Sequence, residues 1–174
     1  MTVSLKEYTK SLHKEIESTE FAKKLIKGTV TELQYYNYLF QFKGIYKTIE
    51  DVGEKLNLYK DIESVKRYYK IIDDMFSFEE QYPFLEELAT ISYRDYLTSI
   101  KDPIKLKSHM YVRYMGDLNG GQILKERLNH LPTNLYEFDD AEELKVKLRD
   151  FFADADKEEA RKAFIYNISV YRRL

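Results

Sequence analysis

His13, His109 and His130 are the only imidazoles in a chain that has no cysteine. Disulfides, thiolate metal sites, iron–sulfur clusters and cysteine nucleophiles are therefore excluded, and metal chemistry would rest on histidine and carboxylate. Glu17 follows His13 at i+4, a spacing that makes the two neighbours on a helix. The carboxylate could accept a hydrogen bond from one ring nitrogen and leave the other free for a metal. On spacing alone the simpler reading is a boundary histidine in a surface charge pair. A lone histidine is a poor site for a bare ion, which usually takes several protein ligands. Carboxylate-bridged di-iron bundles need Glu three residues before His on two helices. Lys10, Leu106 and Arg127 stand at those positions, against such a site. One histidine does suffice where a porphyrin supplies the remaining nitrogens.

The second stretch with chemical potential is YMGDLNGGQIL at 114–124, which holds Gly116, Gly120 and Gly121 around Asp117 and Asn119. An Asn-Gly-Gly run says turn. Yet Tyr111, Tyr114, Leu118 and Leu128 keep helical spacing on both sides, so a continuous helix is an equal alternative. Its glycines would cost it roughly 3 kcal/mol relative to alanine. Gly116 and Gly120 would then share a face and bare a strip of backbone that a flat object or another helix could approach closely. Lys145 and Arg149, also four apart, could together hold a carboxylate or phosphate, although a solvated face is the default.

These residues need helices to position them, and the pattern is helical nearly throughout. Ser4-x-x-Glu7 has the form of a capping box, followed by an apolar stripe at Leu5, Tyr8, Leu12 and Ile16. Thr29-x-x-Glu32 is expected to open a longer helix through Leu33, Tyr36, Leu39, Phe40, Tyr46, Ile49 and Leu56, with Gly44 inside it and Gly53 near its end. A shorter helix is expected over 62–75, and another after Pro83 through Leu85, Leu88, Ile91 and Leu97. Asp102-Pro103 is a strong start signal, and the next stop is Pro132. Asp140 should start a helix through Leu144, Leu148 and Phe151, and Asp156-x-x-Glu159 a last one bearing Ala163, Phe164, Ile168 and Tyr171. No strand alternation, repeat or linker is evident. The expectation is one all-α domain over 1–174, with about seven or eight helices.

At 174 residues the chain can bury a substantial core. Its formal net charge of −2 offers no basic field for nucleic acid. No apolar run is long enough to span a membrane, and neither end resembles a signal peptide or an anchor. A soluble, cytoplasmic protein is the expectation.

The run RYMGDLNGGQ at 113–122 closely resembles the distal-helix signature of heme oxygenases, commonly RYLGDLSGGQ. LKEYTKSLHKEIE at 5–17 resembles the segment around that family's proximal histidine, and AFIYNIS at 163–169 resembles its last helix. The segments fall in the family's order at the start, middle and end of the chain. The resemblance implies an all-α multi-helix fold that clamps heme between the first helix and a kinked distal helix. It implies that His13 is the axial ligand of the heme iron and Glu17 its acceptor. Gly116 and Gly120 are implied to lie against the porphyrin, with Gly121 in the same flexible stretch. Asp117 is implied to organise distal water, with Arg113 and Tyr46 as network partners. Lys6, Tyr111, Lys145 and Arg149 match groups that hold the propionates. Phe164 matches a pocket wall, and Asn167 a member of the network.

The activity that this resemblance implies is oxidative cleavage of heme b, both substrate and cofactor, by O2 to biliverdin, carbon monoxide and ferrous iron. No other metal is implied. The compact chain resembles bacterial, cyanobacterial or phage forms, for which ferredoxin is the expected electron donor; a bilin reductase could use the product. Asn119 departs from the common serine and Met115 from the common leucine. A rival reading is a non-catalytic heme-binding or heme-transfer protein of the same fold. A thiaminase-like hydrolase is a poorer one, because it would need a nucleophilic cysteine.

Overall fold

The computed structural model describes residues 3–174, and helices are the only regular secondary structure among them. Three short helices open the chain, α1 (Leu5–Tyr8), α2 (Lys10–Glu17) and α3 (Glu20–Lys27), and the long α4 (Glu32–Lys55) follows. They are followed by α5 (Tyr68–Phe76) and α6 (Leu88–Ser99). A near-continuous helical run over 103–127 comprises α7 (Pro103–Met110), a π-helical segment (Tyr111–Met115), α8 (Gly116–Asn119) and α9 (Gly121–Arg127). Two last helices, α10 (Ala141–Phe151) and α11 (Lys157–Tyr171), complete the all-α fold.

Caps decide most of the boundaries, and they correct several expectations. Ser4 caps α1 through Glu7 N–H at 3.2 Å, but Thr9 interrupts the expected single stripe and separates α1 from α2. The long α4 is opened by Thr31 rather than Thr29. Its hydroxyl accepts from Gln34 N–H, and the Gln34 side chain accepts from Thr31 N–H, both at 3.1 Å. This reciprocal box satisfies two of the amide donors left free at a helix start. Thr29 lies instead just beyond Gly28, whose φ of +71° ends α3 in the left-handed region. The sequence pattern does not separate α3 from its neighbours. The expected 62–75 helix is a 3₁₀ turn (Glu63–Val65) followed by α5. The helix placed after Pro83 begins only at Leu88, and Leu85 is exposed in the irregular segment before it. Asp140 stands at the start of α10, but with φ +50° and no side-chain cap.

Helix α4 is the axis of the core. It packs against α5, α6 and α7, while α11 packs against α2, α6 and α7. Its inner face buries Tyr35, Tyr38, Leu39, Phe42, Ile45, Tyr46 and Ile49. Residues 38, 42 and 46 form an aromatic row at i+4 spacing, and adjacent ring centroids are 4.9 and 6.4 Å apart.

Two buried charges pin the loop after α9. Asp74 accepts from Asn134 and Leu135 N–H at 2.8 and 2.9 Å. The Arg67 guanidinium donates to the carbonyls of Leu135 and Glu137 at 3.0 and 2.6 Å and sits 3.8 Å above the Phe138 ring. The loop so fixed presses Tyr136 onto the run over 103–127 at Gly121. A Cβ there would lie 2.6 Å from the Tyr136 ring. At the far end, a Cβ on Gly28 would lie 2.6 Å from the Arg127 carbonyl, so α3 meets this helix through backbone. The distal run is therefore held by close contacts on its inner side and leaves its other face open.

Candidate active site

The glycine stretch is helix, not turn. Gly116 and Gly120 both have right-handed helical angles (φ −60°, ψ −50° and φ −73°, ψ −31°). Gly120 N–H donates to Gly116 O at 2.9 Å, and Leu124 N–H to Gly120 O at 3.2 Å, so the hydrogen-bond ladder runs through the cluster. The irregularity lies upstream, in the π-helical turn at 111–115. Such turns carry an extra residue and occur often at functional sites.

The three glycines do different things. A Cβ on Gly116 would meet nothing within 4 Å, and one on Gly120 only the Gly116 carbonyl at 3.1 Å. Gly116, Asn119, Gly120 and Ile123 are all exposed and form one strip. Gly121 is buried beneath Tyr136 and faces away from that strip. Gly121, expected in the same flexible stretch as Gly116 and Gly120, is thus the glycine that serves the packing of the helix.

One residue on from Gly116, the chain turns inward. Asp117 is 4% exposed and accepts a hydrogen bond from the Tyr46 hydroxyl. Arg113 lies one turn earlier, its Nη2 3.8 Å from Asp117 Oδ1. Arg113 also donates from Nε to the Tyr46 hydroxyl at 3.2 Å, from Nη1 to Asn167 Oδ1 at 3.0 Å and from Nη2 to the Tyr38 hydroxyl at 3.3 Å. Its guanidinium lies 4.1 Å from the Phe42 ring centroid, a stacked cation–π arrangement. Burial raises the Asp117 pKa, while Arg113 and the Tyr46 hydroxyl oppose the rise. Burial likewise lifts Tyr46 well above the ordinary tyrosine range. The structure thus brings Arg113, Tyr46, Asp117 and Asn167 into one buried network, and adds Tyr38 and Tyr136. Tyr38 could have been found from its i+4 spacing to Phe42 and i+8 spacing to Tyr46; Tyr136 had no local signal.

His13 lies in the open. Its side chain is 58% exposed, and Nδ1 is 3.1 Å from Glu17 Oε1, which leaves Nε2 available. Helix α2 carries it on α11, where Phe164 meets the imidazole edge-on at 6.2 Å between centroids. Ion pairing between Arg172 and Glu15 at 2.9 Å and a hydrogen bond from Tyr8 to Glu158 fasten the first two helices to the last. The expected anion-holding residues make no direct contact with one another. Tyr111 is half-buried against Phe152 at 5.6 Å, Lys145 is 3.4 Å from Glu142, and Lys6 and Arg149 are exposed.

His109 belongs to a separate buried cluster. Its Nδ1 is 2.7 Å from the Tyr93 hydroxyl and its Nε2 3.0 Å from Glu159 Oε1. Burial holds His109 below the usual histidine range, against the pull of Glu159. Burial alone would raise Glu159, but hydrogen bonds from His109 and Tyr96, with Lys162 beside it, bring the carboxyl down to about 2. No group of three or more His, Asp or Glu residues that could hold a bare metal ion occurs among the described residues.

The heme oxygenase family model matches residues 1–173. The chain belongs to the heme oxygenase family. Heme oxygenase 1 of Gallus gallus is 28% identical over 98% of this chain and 68% of its own length. Heme oxygenase 2 of Mus musculus is 31% identical, over 98% of this chain and 64% of its own length. The chain thus spans about two thirds of the length of these curated relatives. Among solved structures, the heme oxygenase of Leptospira interrogans superposes with a TM-score of 0.86 at 28% identity, covering 98% of this chain and 97% of that one. Heme oxygenase-1 of the cyanobacterium Synechocystis, solved in complex with heme, gives 0.84 at 26% identity and covers 98% and 90%. The all-α fold is that of heme oxygenases. No helix among the described residues is long and apolar enough to cross a membrane.

Proposed function

We propose that this member of the family is a working heme oxygenase, which opens the macrocycle of heme b with O2 and electrons to give biliverdin, carbon monoxide and ferrous iron. The observation that carries the reading is the helix face at 116–120, where Gly116 and Gly120 leave backbone uncovered on the open side, backed by the buried Asp117 carboxylate. The residues present fit heme as substrate. His13 offers Nε2 as a single neutral nitrogen ligand while Glu17 orients the ring through Nδ1. Gly116, with open space where a side chain would stand, admits a flat macrocycle against backbone. Heme, when bound, supplies the iron at which oxygen is activated.

The chain's own residues then divide the remaining tasks. A histidine ligand lacks the strong electron push by which a thiolate favours O–O cleavage, and none of the three histidines lies on the strip at 116–123 to act as a distal acid. Asp117 holds a proton path at its carboxylate, fed by the Tyr46 hydroxyl and biased by Arg113, and acts through water rather than as a ligand. Asn167 fixes the Arg113 fork by accepting from Nη1 while its own amide donates to Ala163 O at 2.7 Å. Lys6, Tyr111, Lys145 and Arg149 hold the propionates and so set the in-plane orientation of the substrate. Ferredoxin is the electron donor in this reading, and a bilin reductase can take the product.

Turnover of hemin with reduced ferredoxin tests the proposal. The Soret band should decay as biliverdin absorption appears. Asp117→Ala should slow biliverdin formation by roughly the 10²–10⁴-fold typical of losing a proton-transfer group and lower its yield. A stable Soret band in the wild type would leave a heme-binding protein that does not degrade heme. A normal yield from the variant would remove Asp117 from the proton path.

A further inference from the structure

The open strip of the distal helix carries one polar side chain that the reaction above does not use. Its members are Gly116, Asn119, Gly120 and Ile123, all exposed. Two have no side chain and one is aliphatic, so Asn119 is the strip's only side-chain hydrogen-bond donor. The Gly120 and Ile123 N–H groups are already engaged with the Gly116 and Gly120 carbonyls at 2.9 and 3.1 Å. No intramolecular hydrogen bond holds the Asn119 carboxamide among the described residues, although Asp117, two positions earlier, accepts from the Tyr46 hydroxyl on the buried side.

Helix geometry says which way this group reaches. Side chains lean towards the N-terminus of their helix and cover the preceding turn. Residue 119 is i+3 from Gly116, and Gly116 offers open space where its own Cβ would be. The carboxamide of Asn119 therefore has access to the volume above Gly116. A diatomic molecule bound at a heme iron presents a partly negative terminal atom and no donor. The NH2 of asparagine matches it, with two donors and no charge to desolvate.

We propose that Asn119 is a second distal contact of the bound diatomic ligand, donating a hydrogen bond from the open side of the helix while Asp117 acts from the buried side. The inference rests on the heme oxygenase reading. It gives the ligand two polar neighbours on different sides, and so a preferred direction of bend over the macrocycle.

The ferrous carbonyl complex of the holoprotein reports such a contact directly, through the C–O and Fe–C stretching frequencies. Asn119→Ala and Asn119→Leu sit on an exposed helix face and should fold as the wild type does. Both should move the C–O stretch to higher wavenumber and reduce its shift in D2O, leaving the part that arises on the Asp117 side. Both should also release carbon monoxide roughly 2- to 10-fold faster, as expected for one net hydrogen bond. Asn119→Gln should restore part of the frequency shift. Frequencies and release rate unchanged in both variants, with hemin still bound through histidine, would overturn the Asn119 contact and leave the heme oxygenase reading standing. Failure of the wild type to form a histidine-ligated hemin complex would overturn that reading and the contact with it.

Discussion

Adding one methyl group to the distal helix should have opposite effects at two neighbouring glycines. At Gly116 the backbone is helical and a Cβ meets nothing within 4 Å. Gly116→Ala therefore gains helix propensity and loses unfolded-chain entropy without a steric cost, about 0.4–1 kcal/mol in favour of the folded state. For a chain of this length that raises Tm by roughly 1–4 °C. At Gly121 the same methyl would sit 2.6 Å from Tyr136 Cδ1 and 3.0 Å from Cγ. Tyr136 cannot easily yield, because Arg67 and Asp74 fix its loop. The overpacking costs about 1–3 kcal/mol, which cancels or exceeds the propensity gain. Thermal unfolding of the hemin-free protein, followed by circular dichroism, should thus rank Gly116→Ala above wild type and Gly121→Ala below it. Hemin titration should rank them differently: Gly116→Ala weakens binding, since its methyl intrudes where the macrocycle lies, whereas Gly121→Ala has no direct contact to lose. A lower Tm for Gly116→Ala, or hemin affinity unchanged by it, would refute the argument that this position is kept bare for a ligand rather than for packing.

Groups outside the strip give two further expected outcomes. His13→Ala removes an exposed side chain, so apo stability should change by no more than about 0.5 kcal/mol, while the histidine-ligated absorption and resonance Raman signature of the hemin complex disappears. A retained signature would take His13 out of the ligand role. Glu159→Gln should destabilise the protein by about 1.5–3 kcal/mol near neutral pH, because a charged acceptor shared by His109 and Tyr96 is lost. With a folded pKa of about 2 against an ordinary 4.5, the carboxylate's contribution is complete above the unfolded pKa and is lost as pH falls towards 2. The gap between wild type and variant in urea denaturation should accordingly narrow as pH falls from about 4.5 towards 2, and a gap that stayed constant over that range would contradict the linkage.

Much of the fold was legible because its helices announce themselves locally. The Asp102-Pro103 start is borne out, with Asp102 accepting from Ile104 N–H at 2.9 Å, as is the Asp156 cap on Glu159 N–H at 2.8 Å. The spacing Thr29-x-x-Glu32 points to the wrong threonine, since Thr31 caps the long helix. The left-handed Gly28 decides it, a backbone fact invisible in a hydrophobic pattern. Tyr46, Arg113, Asp117 and Asn167 were placed by resemblance, and the structure joins them in one network. Tyr136 and the Arg67 clamp escaped notice because their significance is wholly tertiary: Arg67 looks like any surface arginine until five carbonyl contacts bury it. Gly121 illustrates the converse limit. It shares a dipeptide with Gly120, yet only the position of the Tyr136 ring assigns the two glycines to opposite faces.

The π-helical turn also sets a register. In an unbroken α-helix, residues 111 and 116 would lie roughly 140° apart around the axis, with the tyrosine hydroxyl and the bare glycine on different sides. A turn closed by i→i+5 hydrogen bonding brings such a pair nearly into line. The single surplus residue in YVRYM thus works as a phase shifter between the faces of the helix before it and after it. The length of that turn, as much as any side chain in it, decides which residues of the run share a face.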